Sequence, residues 1–180
     1  MSRPAAFLDR DGVINRDIGY LHRPEDVAFV PGIFEAVAAL RARGFRPVVV
    51  TNQSGIARGR YTEADFHALM DWMRARFTEA GAPLDAVYYC PHHPEEGNPP
   101  YRRACECRKP APGMLLRAAD ELDLDLERSL LIGDSERDIE AGRAAGVART
   151  FLLASAPSTP SAADHVVTRL SDIERCLPAG

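Results

Sequence analysis

Short apolar runs bounded by turn residues alternate along the chain with longer amphipathic stretches, and this alternation predicts an α/β fold built on a parallel sheet. Strands are expected at Ala5–Leu8, Arg46–Val50, Ala86–Tyr89, Leu130–Ile132 and Ala148–Leu152, with a short last one at Asp164–Val167. Gly32–Arg43 reads as a helix stopped by Gly44, and Thr62–Ala80 as a helix with Phe66, Leu69, Met70, Met73 and Phe77 on one face. Thr62, with Asp65 three residues on, is a capping signature, and Gly81 ends that helix. Gly113–Leu122 and Ser135–Ala145, the latter closed by Gly146, complete the helices. Two stretches carry neither period: Asn15–Pro31 and Pro91–Ala111. No linker, repeat or low-complexity tract divides the 180 residues, so a single domain over 1–180 is expected, with helices on both faces of a Rossmann-like sheet.

In open parallel sheets ligands bind beyond the carboxyl ends of the strands. The informative polar residues fall there: Asp9 and Asp11 after the first strand, Thr51 and Asn52 after the second, Gly133 and Asp134 after the fourth. Two carboxylates two residues apart on extended backbone face the same side, so one can attack while the other handles a proton. Gly12 lets the chain turn with backbone N–H groups free to meet an anion. With Asp134 arriving from another strand, three carboxylates converge, and a hard divalent cation between them relieves their repulsion. Magnesium held by Asp9, Asp11 and Asp134 is therefore expected. Asp138, one helical turn further on, stays open between capping the helix and the outer sphere of the metal.

Composition sharpens this picture in two places. The net charge of −4 argues against nucleic acid or an anionic membrane as the main partner. No apolar run approaches a membrane span or a secretory core, so a cytoplasmic location and a monomer are expected. Of 22 cationic side chains all but Lys109 are Arg, which marks Lys109 as a position where a compact ammonium is needed. Cys90, His92, Cys105 and Cys107 form Cys-x-His, twelve residues, Cys-x-Cys, a full ligand set for a closed, structural zinc site in a loop at about 90–107. His93 is a possible substitute for His92 as ligand. That loop has no apolar content of its own to fold on, and it delivers Arg108 and Lys109 directly after its last ligand. Cys176, far away, is expected to be a packing residue.

The set Asp9-Arg-Asp11-Gly, Thr51-Asn52-Gln53, Lys109 and Gly133-Asp134 resembles the haloacid dehalogenase superfamily of phosphohydrolases. The resemblance implies the HAD fold with a minimal cap, Asp9 as nucleophile, Asp11 as general acid and base, and Thr51 and Lys109 as donors to the phosphoryl oxygens. The zinc loop followed by Cys-Arg-Lys-Pro is similar to two branches of that superfamily: the histidinol-phosphate phosphatases and the D-glycero-D-manno-heptose 1,7-bisphosphate 7-phosphatases. Phe7 to Asn15, Asp17-x-Gly19-Tyr20, Thr51 to Gly59 and the long loop between His92 and Cys105 resemble the heptose branch. This implies substrate contacts from Asp17, Gly19, Tyr20, Asn52, Gln53, Ser54 and Arg108. It also implies a sugar bisphosphate substrate on the route to the heptose of bacterial surface glycans such as the lipopolysaccharide core. Arg58, Arg60, Arg102, Arg103 and Arg108 are enough cations for a second phosphate. One departure is Ser135, where the family commonly has Lys after the metal-binding Asp.

Overall fold

The computed structural model describes residues 2–177. Its six strands are β1 (Ala5–Leu8), β2 (Arg46–Asn52), β3 (Ala86–Cys90), β4 (Leu130–Gly133), β5 (Arg149–Leu153) and β6 (His165–Val167). They form one parallel sheet in the order β3-β2-β1-β4-β5-β6. Four helices fall between them: α1 (Ile33–Ala42), α2 (Glu63–Glu79), α3 (Gly113–Leu122) and α4 (Glu136–Ala145). The expected elements are all present, with strand ends displaced by one or two residues.

Alternation along each strand divides the core into two layers. Ala6 and Leu8 of β1 and Val49 of β2 pack with α1 and α2, while Ala5, Phe7, Val48 and Val50 pack with α3 and α4. On α2 the buried side chains are the stripe read from the sequence, Phe66, Leu69, Met70, Met73 and Phe77, each contributing about 1.5–3 kcal/mol by leaving water. The helix starts with a reciprocal cap, in which Asp65 N donates to Thr62 Oγ1 (3.1 Å) and Thr62 N donates to Asp65 Oδ2 (2.8 Å). Cys176 lies half-buried against the α1–α2 side of the core, the packing position expected.

β1 is the switch point, since the chain runs outward from it to β2 and β3 on one side and to β4, β5 and β6 on the other. Leu8 stands in register with both Val49 and Ile132, so Asp9, the Thr51-Asn52 pair and Gly133-Asp134 leave the sheet side by side. Residues 15–31 and 91–111, which carry no period, contain one short 3-10 turn at Pro24–Asp26 and isolated bridges at Asn15–Phe29 and His93–Arg102. Both lie around the carboxyl end of the sheet.

Candidate active site

Asp9 leaves β1 with its backbone N–H still donating to Ile132 O on β4 (3.0 Å), which fixes the start of its side chain. Its Oδ1 accepts from the Arg10 backbone N–H (2.7 Å) and from Lys109 Nζ (3.0 Å), while Oδ2 has no protein donor among the described residues. Lys109 is 2% exposed. Its ammonium makes three contacts, to Asp9 Oδ1, to Asp138 Oδ1 (2.6 Å) and to Val50 O (2.8 Å). Three donors meet three acceptors, a geometry that a planar guanidinium does not match. Asn52 places the lysine by clamping its backbone, accepting from Lys109 N and donating to Lys109 O, both at 3.0 Å. Asn52, expected at the substrate, therefore spends its amide on holding Lys109.

Asp9, Asp134 and Asp138 bring one carboxylate oxygen each within 4.8 Å of one another. Burial pushes Asp9 up to about 8, against the pull of Lys109, and Asp138, Asp134 and Asp11 add to the rise. Burial also raises Asp134, to about 6, with Asp138 adding. For Lys109, burial acts to lower the pKa but the Asp9 and Asp138 carboxylates outweigh it and hold it above its ordinary value. Burial acts to raise Asp138, and Lys109 and the Ser135 donors outweigh it. Three carboxylates and one ammonium leave two negative charges, the amount a divalent cation neutralises. The space is tailored as well: Gly12 sits at φ +87°, and a Cβ there would lie 1.9 Å from Asp134 Oδ2. Asp138 also accepts from Asp134 N (3.1 Å), Ser135 N (3.2 Å) and Ser135 Oγ (3.1 Å), so it caps α4 and belongs to the carboxylate group at once.

Asp11 points elsewhere. Its Oδ1 accepts from Arg10 Nε (3.2 Å), Arg10 Nη2 (3.1 Å) and Asn15 Nδ2 (3.0 Å), and its Oδ2 from Arg10 Nη2 and Gln53 Nε2 (both 3.1 Å). The metal-capable carboxylate group thus contains Asp138, and the Asp11 carboxylate stands beside it on the buried guanidinium. Gln53 Nε2 also donates to Thr51 Oγ1 (2.8 Å). Because Thr51 accepts there, its hydroxyl proton is left to point at another acceptor.

Above these groups lies a cavity of about 260 Å³, lined by Asp9, Asp11, Asp134 and Lys109 below and by the expected rim residues Asp17, Gly19, Tyr20 and Ser54 above. Tyr20, at φ 53°, carries Arg60 over its ring at 5.1 Å. Arg108 is half-buried and donates to His92 O (3.3 Å); burial first, then Arg137 and Arg58, lower its pKa. It opens on an adjoining cavity with Arg103 and Arg137, and Arg137 lines both cavities without a hydrogen-bond or ion-pair partner among the described residues. Arg58 pairs with Glu96. Arg10, Asn15, Tyr61 and Arg137 were not singled out from the sequence. For Arg10 the signal was an Arg between two Asp at a strand end, which reads as a solvated charge until the loop at 15–31 folds over it.

The three cysteines and His92 meet at the carboxyl end of β3, an edge strand of the sheet. Cys90, His92, Cys105 and Cys107 offer atoms within 4.8 Å of one another, with Cys90 Sγ 3.1 Å from Cys107 Sγ and 3.6 Å from both Cys105 Sγ and His92 Nδ1. A hydrogen bond from Cys90, ahead of opposing burial, pulls the Cys107 thiol down to about 5, and the same shared proton pushes Cys90 up. Thiols packed at contact distance and sharing protons suit a metal that takes them as thiolates. The imidazole in this group is that of His92. His93 Nδ1 is already accepting from Glu95 N (3.2 Å) and Glu96 N (2.9 Å). The loop is pinned to the catalytic body by Asn98 N to Ala57 O (2.9 Å) and Tyr101 OH to Glu63 Oε2 (2.6 Å).

A HAD-hydrolase-like family model matches residues 106–173. The chain is 46% identical over 178 residues to the D-glycero-beta-D-manno-heptose-1,7-bisphosphate 7-phosphatase of Vibrio cholerae, covering 99% of this chain and 96% of the relative. It is 50% identical over 175 residues to the D-glycero-alpha-D-manno-heptose-1,7-bisphosphate 7-phosphatase of Burkholderia mallei, covering 96% and 93%. Among solved structures, the D,D-heptose 1,7-bisphosphate phosphatase from B. bronchiseptica, complexed with magnesium and phosphate, superposes with a TM-score of 0.81 at 33% identity over 96% of both chains. A fold with its switch point at Asp9, and identity this high along nearly its whole length, place the chain in the HAD superfamily, as a member of the D-glycero-D-manno-heptose-1,7-bisphosphate 7-phosphatase family.

Proposed function

We propose that the protein hydrolyses the 7-phosphate of D-glycero-D-manno-heptose 1,7-bisphosphate through an aspartyl-phosphate on Asp9. The observation that carries this reading is the Asp9 carboxylate itself, which lines the cavity, pinned through Oδ1 by two donors and with no protein donor on Oδ2 among the described residues. Asp9 Oδ2 attacks phosphorus while the bond from phosphorus to the C7 oxygen breaks, and that oxygen takes the electron pair and the proton of Asp11. Asp11, now a carboxylate with Arg10, Asn15 and Gln53 as donors, accepts a proton from water. The water oxygen attacks phosphorus, the bond to Asp9 breaks, phosphate leaves, and Asp11 is protonated again. Thr51 donates its hydroxyl to the phosphoryl group. Lys109 pulls Asp9 toward its ionised form against the effect of burial and holds it in place.

Magnesium fits the carboxylate group of Asp9, Asp134 and Asp138 by charge, with Asp11 alongside, and when bound it supplies a Lewis acid for the phosphoryl oxygens. Zinc fits Cys90, His92, Cys105 and Cys107, a closed set that leaves it a structural part. Asp17, Gly19, Tyr20, Ser54 and Arg108 line the space for the sugar and its second phosphate, with Arg137 beside them. Thiol ligands suit a reducing compartment, so we place the enzyme in the cytoplasm, as a monomer on the route to nucleotide-activated heptose. No helix among the described residues is long and apolar enough to cross a membrane. The alternative, histidinol phosphate, is not favoured, because the relatives matched along nearly the whole chain carry the heptose name.

The test is a magnesium-dependent phosphate-release assay on both heptose bisphosphate anomers and on histidinol phosphate, with Asp9→Asn alongside. One heptose anomer should be turned over with the highest kcat/KM, and Asp9→Asn should keep the fold and lose turnover. Preference for histidinol phosphate, or substantial activity in Asp9→Asn, would end the proposal.

A further inference from the structure

Tyr61 has no part in the chemistry as read so far, yet it is buried against it. It is 7% exposed, lines the same cavity as Asp9 and Asp11, and stacks on His22 with ring centroids 5.4 Å apart and planes 12° from parallel. Its ring fills the place of a missing side chain: a Cβ on Gly55 would stand 2.3 Å from Tyr61 Cε1 and 2.8 Å from its hydroxyl oxygen. The hydroxyl donates to Gln53 Oε1 in a short hydrogen bond. Burial pushes the phenol up to about 12, so it remains a donor at neutral pH.

That single bond decides which way the Gln53 amide faces. A glutamine amide has two ends, an acceptor oxygen and an NH2 with two protons. With the oxygen held by Tyr61, both protons are committed, one to Asp11 Oδ2 (3.1 Å) and one to Thr51 Oγ1 (2.8 Å). Reversed, the amide would turn its oxygen on the Asp11 carboxylate, acceptor against acceptor, and would take away the donor that commits the Thr51 lone pair. Gln53 is 2% exposed, so water does not readily replace the lost partner.

We infer that Tyr61 is a positioning residue that locks the Gln53 amide and through it aims both the proton-carrying Asp11 and the Thr51 hydroxyl. This deepens the phosphatase reading above and rests on it. The sequence-level expectation that Gln53 touches substrate is replaced by a role in which its amide is spent inside the protein. The chain of contacts is local, and each link is a hydrogen bond within the same cavity wall.

The experiment uses Tyr61→Phe in the full chain, which removes one oxygen and keeps the ring between His22 and Gly55. Loss of aim at Asp11 matters most where the leaving oxygen needs a proton. For an alkyl phosphate ester, the sugar bisphosphate or another that the wild type hydrolyses, kcat/KM should fall roughly tenfold, a part of the ~10²–10⁴ that a positioned acid contributes. For p-nitrophenyl phosphate, whose leaving group departs unprotonated, the fall should be at least threefold smaller. Equal losses on the two substrates would mean a merely structural tyrosine and would overturn the inference, as would no loss on either. A double-mutant cycle gives a second reading: Tyr61→Phe added to Gln53→Leu should cost almost nothing further, whereas additive losses would refute a path through Gln53. Failure of the substrate reading is separate, since it appears in the wild type as no turnover of the heptose bisphosphate.

Discussion

The molecule holds two clusters of metal-capable side chains, and they are organised by opposite means. The carboxylates of Asp9, Asp134 and Asp138 come from the ends of β1 and β4 and the first turn of α4, so the sheet brings them together. Asp9 and Asp138 are tied down by protein donors. Cys90, His92, Cys105 and Cys107 come from the end of β3 and the irregular stretch after it, and their principal partners are one another. One cluster is assembled by the sheet. The other is built in a loop that packs on the body through Tyr101 and through its own cysteines. Repulsion among carboxylates is tolerable in the first because buried Lys109 offsets part of it, whereas in the second, under the proposed function, a metal takes the thiols as thiolates.

Lys109 joins the two regions, and breaking it should give the largest effect. It follows the last sulfur ligand by two residues, yet its ammonium is buried between Asp9, Asp138 and Val50 O. Lys109→Arg preserves charge but must place a larger planar fork where three acceptors surround a point. Turnover should fall on the order of a hundredfold, the loss that a misplaced reacting group can bring, because Asp9 loses the ammonium that holds it. Steady-state kinetics on the heptose bisphosphate, with zinc content measured in parallel, checks this. Near wild-type turnover would show that charge alone is required.

Legibility in the sequence follows the same division. The strands and helices were visible because their residues obey a period, and Asp9, Thr51, Lys109 and Asp134 because each stands at a strand end or, for Lys109, alone in composition. The ligand set Cys90, His92, Cys105 and Cys107 was visible from residue type and spacing. Asp138 stayed open because one residue caps α4 and pairs with Lys109 at the same time. Asn52 and Gln53, expected as substrate contacts, do line the cavity, and only tertiary packing shows that Asn52 also clamps Lys109 and that Gln53 also donates to Asp11 and Thr51. Tyr61 leaves no trace, and Arg10 only an Arg between two Asp that reads as a solvated charge, because their burial is created by loops with no period to predict them.

Stripping zinc should give the intermediate effect and separates the regions most directly. Removal by a thiol-directed reagent followed by chelation should loosen residues 91–107 while leaving the sheet and its helices folded, since apart from Cys90, Tyr101, Cys105 and Cys107 the core is built from residues outside the loop. Turnover should fall about tenfold, the lower end of the loss seen when support for a site residue is removed, through slackened placement of Arg108 and Lys109. Magnesium chelation should abolish activity at once, be reversed by adding the ion back, and leave far-ultraviolet circular dichroism unchanged. If zinc removal unfolded the whole chain, the independence of the two regions would be wrong; unchanged turnover with zinc gone would instead disconnect the loop from the site.

The smallest expected effect lies between two neighbouring histidines. His92 Nδ1 is 3.4 Å from Cys107 Sγ and 3.6 Å from Cys90 Sγ, inside the ligand cluster. His93 faces away, and its Nδ1 accepts the backbone N–H groups of Glu95 and Glu96 in the manner of a side-chain cap on a turn. His92→Ala should therefore lose zinc, while His93→Ala should retain a full equivalent and wild-type turnover. Losing that cap leaves two amides to water on an exposed loop, so the cost should be about 1 kcal/mol or less, a shift of a few degrees at most in the unfolding midpoint. Metal analysis and a thermal melt of the two variants read both quantities. Zinc lost from His93→Ala and kept in His92→Ala would exchange the two roles, and the ligand set would then be Cys90, His93, Cys105 and Cys107.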